Sequence, residues 1–242
     1  MFDVKKATSL KQVQTAYDHL YRQSWLPPND ALFDWLIQKM GVDSGSNMLD
    51  VACGDAKFGQ CAHRYGLRYH GIDISYEAAS QVSDRSVLVG DSAALPFPDD
   101  YFRYVACIGS LEHVLDIEQG VCEMARVLKP GGKACILVPN AFSITWNMLH
   151  VWRTGDIFDE DDQPVQRFGA RGAWETLLTS NGLNVVQVYG YERCWPQTRA
   201  EWYLYIDEPK EMVLGLAAPM IPVNLARCFV FICTKRVAGQ RQ

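Results

Sequence analysis

Apolar residues recur at helical spacing near the start of the chain and then in short blocks that alternate between helical and strand-like patterns. Leu10, Val13, Tyr17, Leu20 and Tyr21 form a stripe that predicts an amphipathic helix over 9–24. Pro27 and Pro28 break it, and Asn29 or Asp30 can cap a second helix running to Met40. The pattern then predicts strand 47–52, helix 57–65, strand 68–73, helix 76–83 and strand 86–90. Strand 102–108, helix 117–128, strand 132–139, helix 171–181 and strand 183–190 follow, and Cys228–Lys235 is a last apolar run. Such alternation predicts an α/β fold with a parallel sheet and helices on both faces.

Two stretches fall outside this rhythm. Residues 140–170 carry Trp146, Trp152 and Phe158 beside the acidic run Asp156–Asp162, and 191–227 is rich in Trp, Tyr, Pro and Met. Long insertions in a compact domain are usually functional or disordered, and the aromatic content argues for order, so both are expected to wall a substrate pocket.

The stretch Asn47–Gly59 (NMLDVACGDAKFG) runs a short apolar strand into a Gly-containing turn and a helix. That arrangement presents backbone N–H groups and a helix N-terminus to a nucleotide-like ligand, although an ordinary βα corner has the same outline. Acids at three successive strand ends, Asp50, Asp73 and Asp91, set this chain apart from the plain corner. Asp73 stands about 20 residues beyond the turn, where a dinucleotide fold keeps its ribose acid.

Composition narrows the field. The 242 residues suit one domain, and a net charge of −5 with scattered Lys and Arg gives no footprint for nucleic acid. None of the eight cysteines forms a Cys-x-x-Cys pair, and several lie in apolar runs, which suits buried thiols in a reducing compartment. The N-terminus lacks the apolar core of a secretion signal. Met212–Val223 is apolar but broken by Pro219 and Pro222 and too short to span a bilayer. The expectation is a soluble cytoplasmic protein without an integral membrane segment.

Four motifs, in order, carry a resemblance: Leu49–Gly54 (LDVACG), Gly71-Ile-Asp73, Gly90–Phe97 (GDSAALPF) and Ala125–Gly132 (ARVLKPGG). Together they resemble the class I S-adenosylmethionine-dependent methyltransferases, in the broad small-molecule subgroup of ubiquinone, menaquinone and natural-product enzymes. The resemblance covers roughly residues 45–140. It implies a Rossmann-like fold, a seven-stranded, mostly parallel sheet whose last strand is antiparallel, with Cys228–Lys235 as that strand at the sheet edge. It also implies one domain over 1–242: an N-terminal helical cap (1–44), a cofactor-binding core (45–140) and substrate-side insertions (141–170 and 191–227).

The same resemblance implies roles. Asp73 would bind the ribose hydroxyls and Asp91 the adenine amine, with the Ser92 backbone N–H facing the ring and Ile74 among the cofactor-binding residues. Ala52 and Gly54 would approach the methionine portion, Ile108 and Gly109 would help to hold its ammonium group, and Asp50 would orient the turn and that ammonium. In the cap Tyr17, Tyr21 and Trp25 are candidates to line the transfer site, against a plain packing role. His113, in Leu111-Glu-His113, is the candidate general base, with structural capping as its rival. S-adenosyl-L-methionine is the expected cosubstrate and S-adenosyl-L-homocysteine its product, with no metal and a small-molecule acceptor as partner. The expected activity is methyl transfer to a small or medium organic acceptor, oxygen before nitrogen or carbon, in specialised-metabolite, quinone or lipid-linked saccharide synthesis. A homodimer is compatible with this. The alternative is a non-catalytic regulatory or scaffold protein that binds the same ligands, and a nicotinamide reductase is a second.

Departures from the family pattern also speak. Where Gly-x-Gly-x-Gly is usual the chain has Ala52, Gly54 and Ala56, which bears on how closely the backbone meets the ligand. No Asn/Asp-Pro-Pro-Tyr follows strand 102–108, no Pro-Cys follows strand 132–139, and no Tyr-x-x-x-Lys pair is present. Arg103 is expected on the surface. The acidic run 156–162 lacks the spacing of a calcium loop and reads as solvated. His150 reads as packing or surface, and Arg167 is weighed as a partner for an anionic substrate group.

Overall fold

The computed structural model describes residues 1–23, 30–83, 86–156, 163–207 and 209–236. Trp25, the Pro27–Pro28 break, the Asn29 cap, Phe158 and positions 157–162 of the acidic run lie outside the described residues.

Strand β1 (Phe2–Lys6) precedes helices α1 (Leu10–Gln23) and α2 (Asp30–Met40). The alternating core follows with β2 (Asn47–Val51), α3 (Lys57–Arg64), β3 (Arg68–Asp73), α4 (Tyr76–Ser80) and β4 (Val87–Val89). Next come β5 (Phe102–Ile108), a 3-10 turn (Leu111–His113), α5 (Ile117–Val127) and β6 (Leu128–Pro139). The last part holds α6 (Asn147–Thr154), β7 (Val165–Phe168), α7 (Arg171–Ser180), β8 (Leu183–Tyr191), α8 (Arg199–Asp207), α9 (Pro209–Ala217) and β9 (Cys228–Lys235).

Seven strands form one sheet in the order β4-β3-β2-β5-β6-β9-β8. Pairs β4–β3, β3–β2, β2–β5 and β5–β6 are parallel, and β9 is antiparallel to both β6 and β8. This is the Rossmann-like, seven-stranded and mostly parallel sheet that the resemblance implies. One expectation is corrected: β9 is not the edge strand but lies between β6 and β8. Its five consecutive buried residues, Phe229–Cys233, show why, because a strand covered on both faces reads as an unbroken apolar run. Strand β8 is the edge, with Val186 exposed.

The sheet separates two apolar layers. On β5, Val105 and Cys107 face the layer under α5 and α7, while Tyr104 and Ala106 face the layer under α2 and α3. Fully buried Trp174 ties α7 to the sheet by donating its indole N–H to the Pro139 carbonyl at 3.0 Å.

A second sheet was not foreseen. β1 and β7 pair antiparallel, with Phe2 opposite Phe168 and Lys6 opposite Val165. This ribbon lies against the 3-10 turn and fixes it, as described below. Helix α4 stops at Ser80, short of the 76–83 expected, after a start capped by Ser75, whose hydroxyl accepts from the Ala78 N–H.

Candidate active site

A cavity of about 370 Å³ opens at the carboxyl ends of β2, β3 and β5. Its lining brings together residues far apart in the chain: Asp50, Ala52 and Gly54 after β2, Asp73 and Ile74 after β3, Asp91 and Ser92 beyond β4, and Ile108 and Gly109 after β5. Tyr17 and Tyr21 reach it from α1 and His113 from the 3-10 turn.

The turn between β2 and α3 explains the alanines. Ala52, Gly54 and Ala56 all have positive φ, near 56–57°, so the alternating left-handed geometry of a glycine-rich loop persists with alanine at two of its positions. Each alanine there costs about 1–2 kcal/mol of backbone strain. Gly54 is the position that cannot change freely. A side chain on it would collide with the Tyr21 hydroxyl, which lies over the loop.

Asp73 joins two loops. Its Oδ2 accepts from the Gly54 N–H at 2.7 Å and its Oδ1 from the Ser75 N–H at 2.8 Å. Burial pushes its carboxyl above the ordinary value, against the pull of these amides. The Ile74 amide is a third backbone donor to this carboxylate, which keeps acceptor capacity for one further hydroxyl donor.

Asp50 is buried deeper, 3% exposed, and accepts the Tyr69 hydroxyl hydrogen at 2.9 Å. Desolvation raises its carboxyl to about 7. Burial and the neighbouring Asp73, Asp55, Cys53 and Asp50 push the Tyr21 phenol up as well. The cavity lining therefore holds four acids, Asp50, Asp55, Asp73 and Asp91, against one lysine, Lys57, which pairs with Asp55 at 2.9 Å. Such a lining favours a cationic ligand and disfavours a pyrophosphate.

Helix α1 forms the roof. Leu10, Val13, Tyr17 and Tyr21 face the cavity on one helical stripe. Polar contacts latch the helix to α4 and its lead-in: Gln14 Nε2 donates to the Ile74 carbonyl at 3.0 Å, and the Ser75 hydroxyl donates to Asp18 Oδ1 at 2.7 Å. Arg22 pairs with Glu77, and Gln81 donates to the Tyr21 carbonyl at 3.1 Å.

His113 is oriented by β7. Its Nδ1 lies 2.7 Å from the Val165 carbonyl, which can only accept, so Nδ1 carries the hydrogen and Nε2 of the neutral ring presents its lone pair. Glu112 Oε1 lies 3.9 Å from Nε2. The Tyr17 ring stands edge-on, centroids 6.5 Å apart.

Arg167 is not aimed at a substrate anion. It is buried, donating to the carbonyls of Val114 at 2.6 Å, Leu115 at 3.1 Å and Glu112 at 3.3 Å, and it pairs with Asp3 at 3.3 Å. It clasps the turn that carries His113. The β1–β7 ribbon brings Asp3 and Arg167 opposite each other, and nothing in the local sequence announces that pairing. Arg103 is half-buried rather than exposed, donating to the Gly131 carbonyl and stacking over Tyr104.

Several residues at or behind the cavity wall escaped sequence reasoning. Tyr69 supports Asp50, Ser110 donates to the Ala52 carbonyl at 3.2 Å, and Gln163 lines the wall with a buried Oε1 that has no hydrogen-bond partner. Only the polar-apolar alternation of β3 hinted at Tyr69. Of the two insertions expected to wall the pocket, Gln163 alone reaches this cavity among the described residues. The sheet order explains it: β8 lies at the opposite edge from β4, and Trp195, Trp202 and Tyr205 pack on one another there. No cluster of His, Cys, Asp or Glu suited to a metal is found among the described residues.

Comparison with known proteins agrees with the geometry. Residues 49–136 match a family described as a methyltransferase domain. A sterol 24-C-methyltransferase of Gibberella zeae is 29% identical over 207 residues, 76% of this chain and 51% of its own. A demethylmenaquinone methyltransferase of Listeria monocytogenes is 37% identical over 110 residues, 40% of this chain and 46% of its own. The chain thus spans about half the length of these curated relatives. Among solved structures, the [4+2]-cyclase SpnF shares the fold with a TM-score of 0.67 at 18% identity, covering 97% of this chain and 99% of its own.

Proposed function

We propose that this chain, whose residues 49–136 match a methyltransferase domain, is a class I S-adenosylmethionine-dependent methyltransferase that transfers the cosubstrate's methyl group to a hydroxyl of a small or medium apolar acceptor. One observation carries the reading. The strand-end acids, the left-handed turn and His113 line a single cavity whose acid excess suits a ligand bearing a sulfonium and an ammonium group.

S-adenosylmethionine, when bound, supplies a methyl group already activated for displacement at carbon. The chain's residues supply the rest. Asp73 offers its remaining lone pair to a ribose hydroxyl, and Asp91 and Ser92 take the adenine edge. The turn backbone at Ala52–Gly54 and the Ile108–Gly109 segment hold the methionine portion, with Asp50 as counter-charge to the ammonium. The Leu10, Val13 and Tyr17 stripe excludes water from the transfer site, where alignment and dryness supply most of the rate. His113 Nε2 accepts the acceptor's proton. We read the whole chain, 1–242, as one such domain acting in the cytoplasm.

Transfer to carbon is a second reading, favoured by the sterol 24-C-methyltransferase among the relatives. A fold used without methyl transfer is a third, favoured by the cyclase. Labelled methyl transfer to a panel of apolar phenols, hydroquinones and sterols separates them. The expected result is methylated oxygen, with His113→Ala slowing transfer about 100-fold while cosubstrate binding is kept. Methylated carbon alone would replace the oxygen reading, and binding without any transfer would replace both.

A further inference from the structure

Tyr69 stands behind the cavity wall, yet the strands deliver its hydroxyl to an acid that lines the cavity. β2 and β3 pair parallel with Met48 opposite Tyr69 and Asp50 opposite Gly71. Strand alternation puts Tyr69 and Gly71 on one face of β3, as it does Met48 and Asp50 on β2. The Tyr69 side chain therefore runs along its own strand until the hydroxyl donates to Asp50 Oδ2 at 2.9 Å. Both residues are buried. A buried phenol needs such a partner.

Two glycines shape the slot for this ring. A Cβ on Gly59 of α3 would lie 2.6 Å from Tyr69 Cε1 and 2.7 Å from its Cζ. A Cβ on Gly71 would lie 3.0 Å from the Tyr69 hydroxyl and 2.7 Å from Cys53 Sγ. Glycine is disfavoured inside a helix, so Gly59 answers to packing and not to helix propensity. His63, on the same helix, meets the ring edge-on with centroids 5.9 Å apart. The ring is boxed between α3 and β3, and its hydroxyl is aimed at Asp50.

We propose that Tyr69 is a positioning residue for cosubstrate binding: its hydroxyl anchors one oxygen of Asp50 and leaves the other to meet the ligand's ammonium group. An O–H donor also favours a carboxylate over the protonated acid, so Tyr69 pulls Asp50 toward its anion. Around Asp50 lie Asp73 on β3, Cys53 in the turn, Cys107 on β5, Cys135 on β6 and Tyr21 on α1. Asp73 opposes the pull by its negative charge. Burial pushes the three thiols and the Tyr21 phenol up, so none of them titrates where Asp50 does. Phenylalanine at 69 would fill the slot and lose the pull. The ammonium partner rests on the proposed function. The Tyr69–Asp50 couple rests on the structure alone.

Calorimetric titration with S-adenosylhomocysteine from about pH 5.5 to about pH 8.5, beside carbon-13 NMR of the Asp50 carboxyl without ligand, tests it. The proteins are the wild type, Tyr69→Phe, Asp50→Asn and the double variant. The Asp50 carboxyl is expected to inflect at about pH 7 in the wild type and at about pH 8 in Tyr69→Phe. Affinity should follow the anion, so Tyr69→Phe binds about two- to threefold more weakly at about pH 7.5, and the deficit shrinks toward both ends of the range. In the Asp50→Asn background the same substitution should leave affinity unchanged. A carboxyl inflection that stays in place would overturn the proposal. So would a loss of affinity by one factor at every pH, or one that persists beside Asp50→Asn, since Tyr69 would then serve packing alone. An inflection that moves, in protein whose wild type takes up no S-adenosylhomocysteine, would overturn the proposed function and the ligand role of Tyr69 with it.

Discussion

The carboxyl edge of the sheet carries two regions of opposite character. Over β2, β3 and β5 a cavity gathers four acids, one of them 3% exposed. Beyond β6 and β8 a shoulder of exposed Trp, Met and aliphatic side chains has no charge over two long stretches. The cavity buries what water would hold, and the shoulder exposes what water rejects. Each departure costs free energy, the first by desolvating acids and the second by leaving apolar surface in water.

The largest expected way to break this division lies at Arg167, which belongs to the later part of the chain yet clasps the turn of His113. Arg167→Met leaves the carbonyls of Glu112, Val114 and Leu115 without their donor and Asp3 without its partner. A loss of about 2–4 kcal/mol in urea unfolding is expected. A change within about 0.5 kcal/mol would show that the clasp is dispensable.

A smaller effect sharpens the cavity's side. Asp50 holds its proton up to about pH 7, while the unfolded carboxyl releases it near its ordinary value. In that window the folded state binds the extra proton, so the Asp50 contribution to stability falls as pH rises and is fully lost above about 7. Asp50→Asn is expected to be more stable than the wild type by about 1–3 kcal/mol above that pH, in thermal unfolding followed across it. The same variant should bind the cationic cosubstrate about tenfold more weakly and lose the rise in affinity that the wild type shows through pH 7. A flat wild-type profile would mean that Asp50 is not the counter-charge.

The sequence made one region legible and not the other, for physical reasons. Asp50, Asp73 and Asp91 stand at or just past the ends of β2, β3 and β4, so the alternating pattern that reveals the strands also reveals the acids. The alanines at 52 and 56 hid a left-handed loop that the backbone nevertheless adopts. Arg167 and Tyr69 were illegible because their partners are backbone carbonyls and a buried acid brought near only by the fold. Strand β9 was read as an edge although its unbroken apolar run already spoke for an interior place. The shoulder misled more deeply. Its aromatic residues signalled order, and only the structure shows them turned outward.

The central claim is that Asp73 and its neighbours bind S-adenosylmethionine. Calorimetric titration of this ligand into the wild type and into Asp73→Asn tests it most directly, since asparagine keeps the shape of the two-loop junction. Saturable wild-type binding, weakened at least about 100-fold by the substitution in protein that still unfolds cooperatively, is the predicted result. Folded wild type that takes up no S-adenosylmethionine, or an Asp73→Asn variant that binds it equally well, would contradict the account.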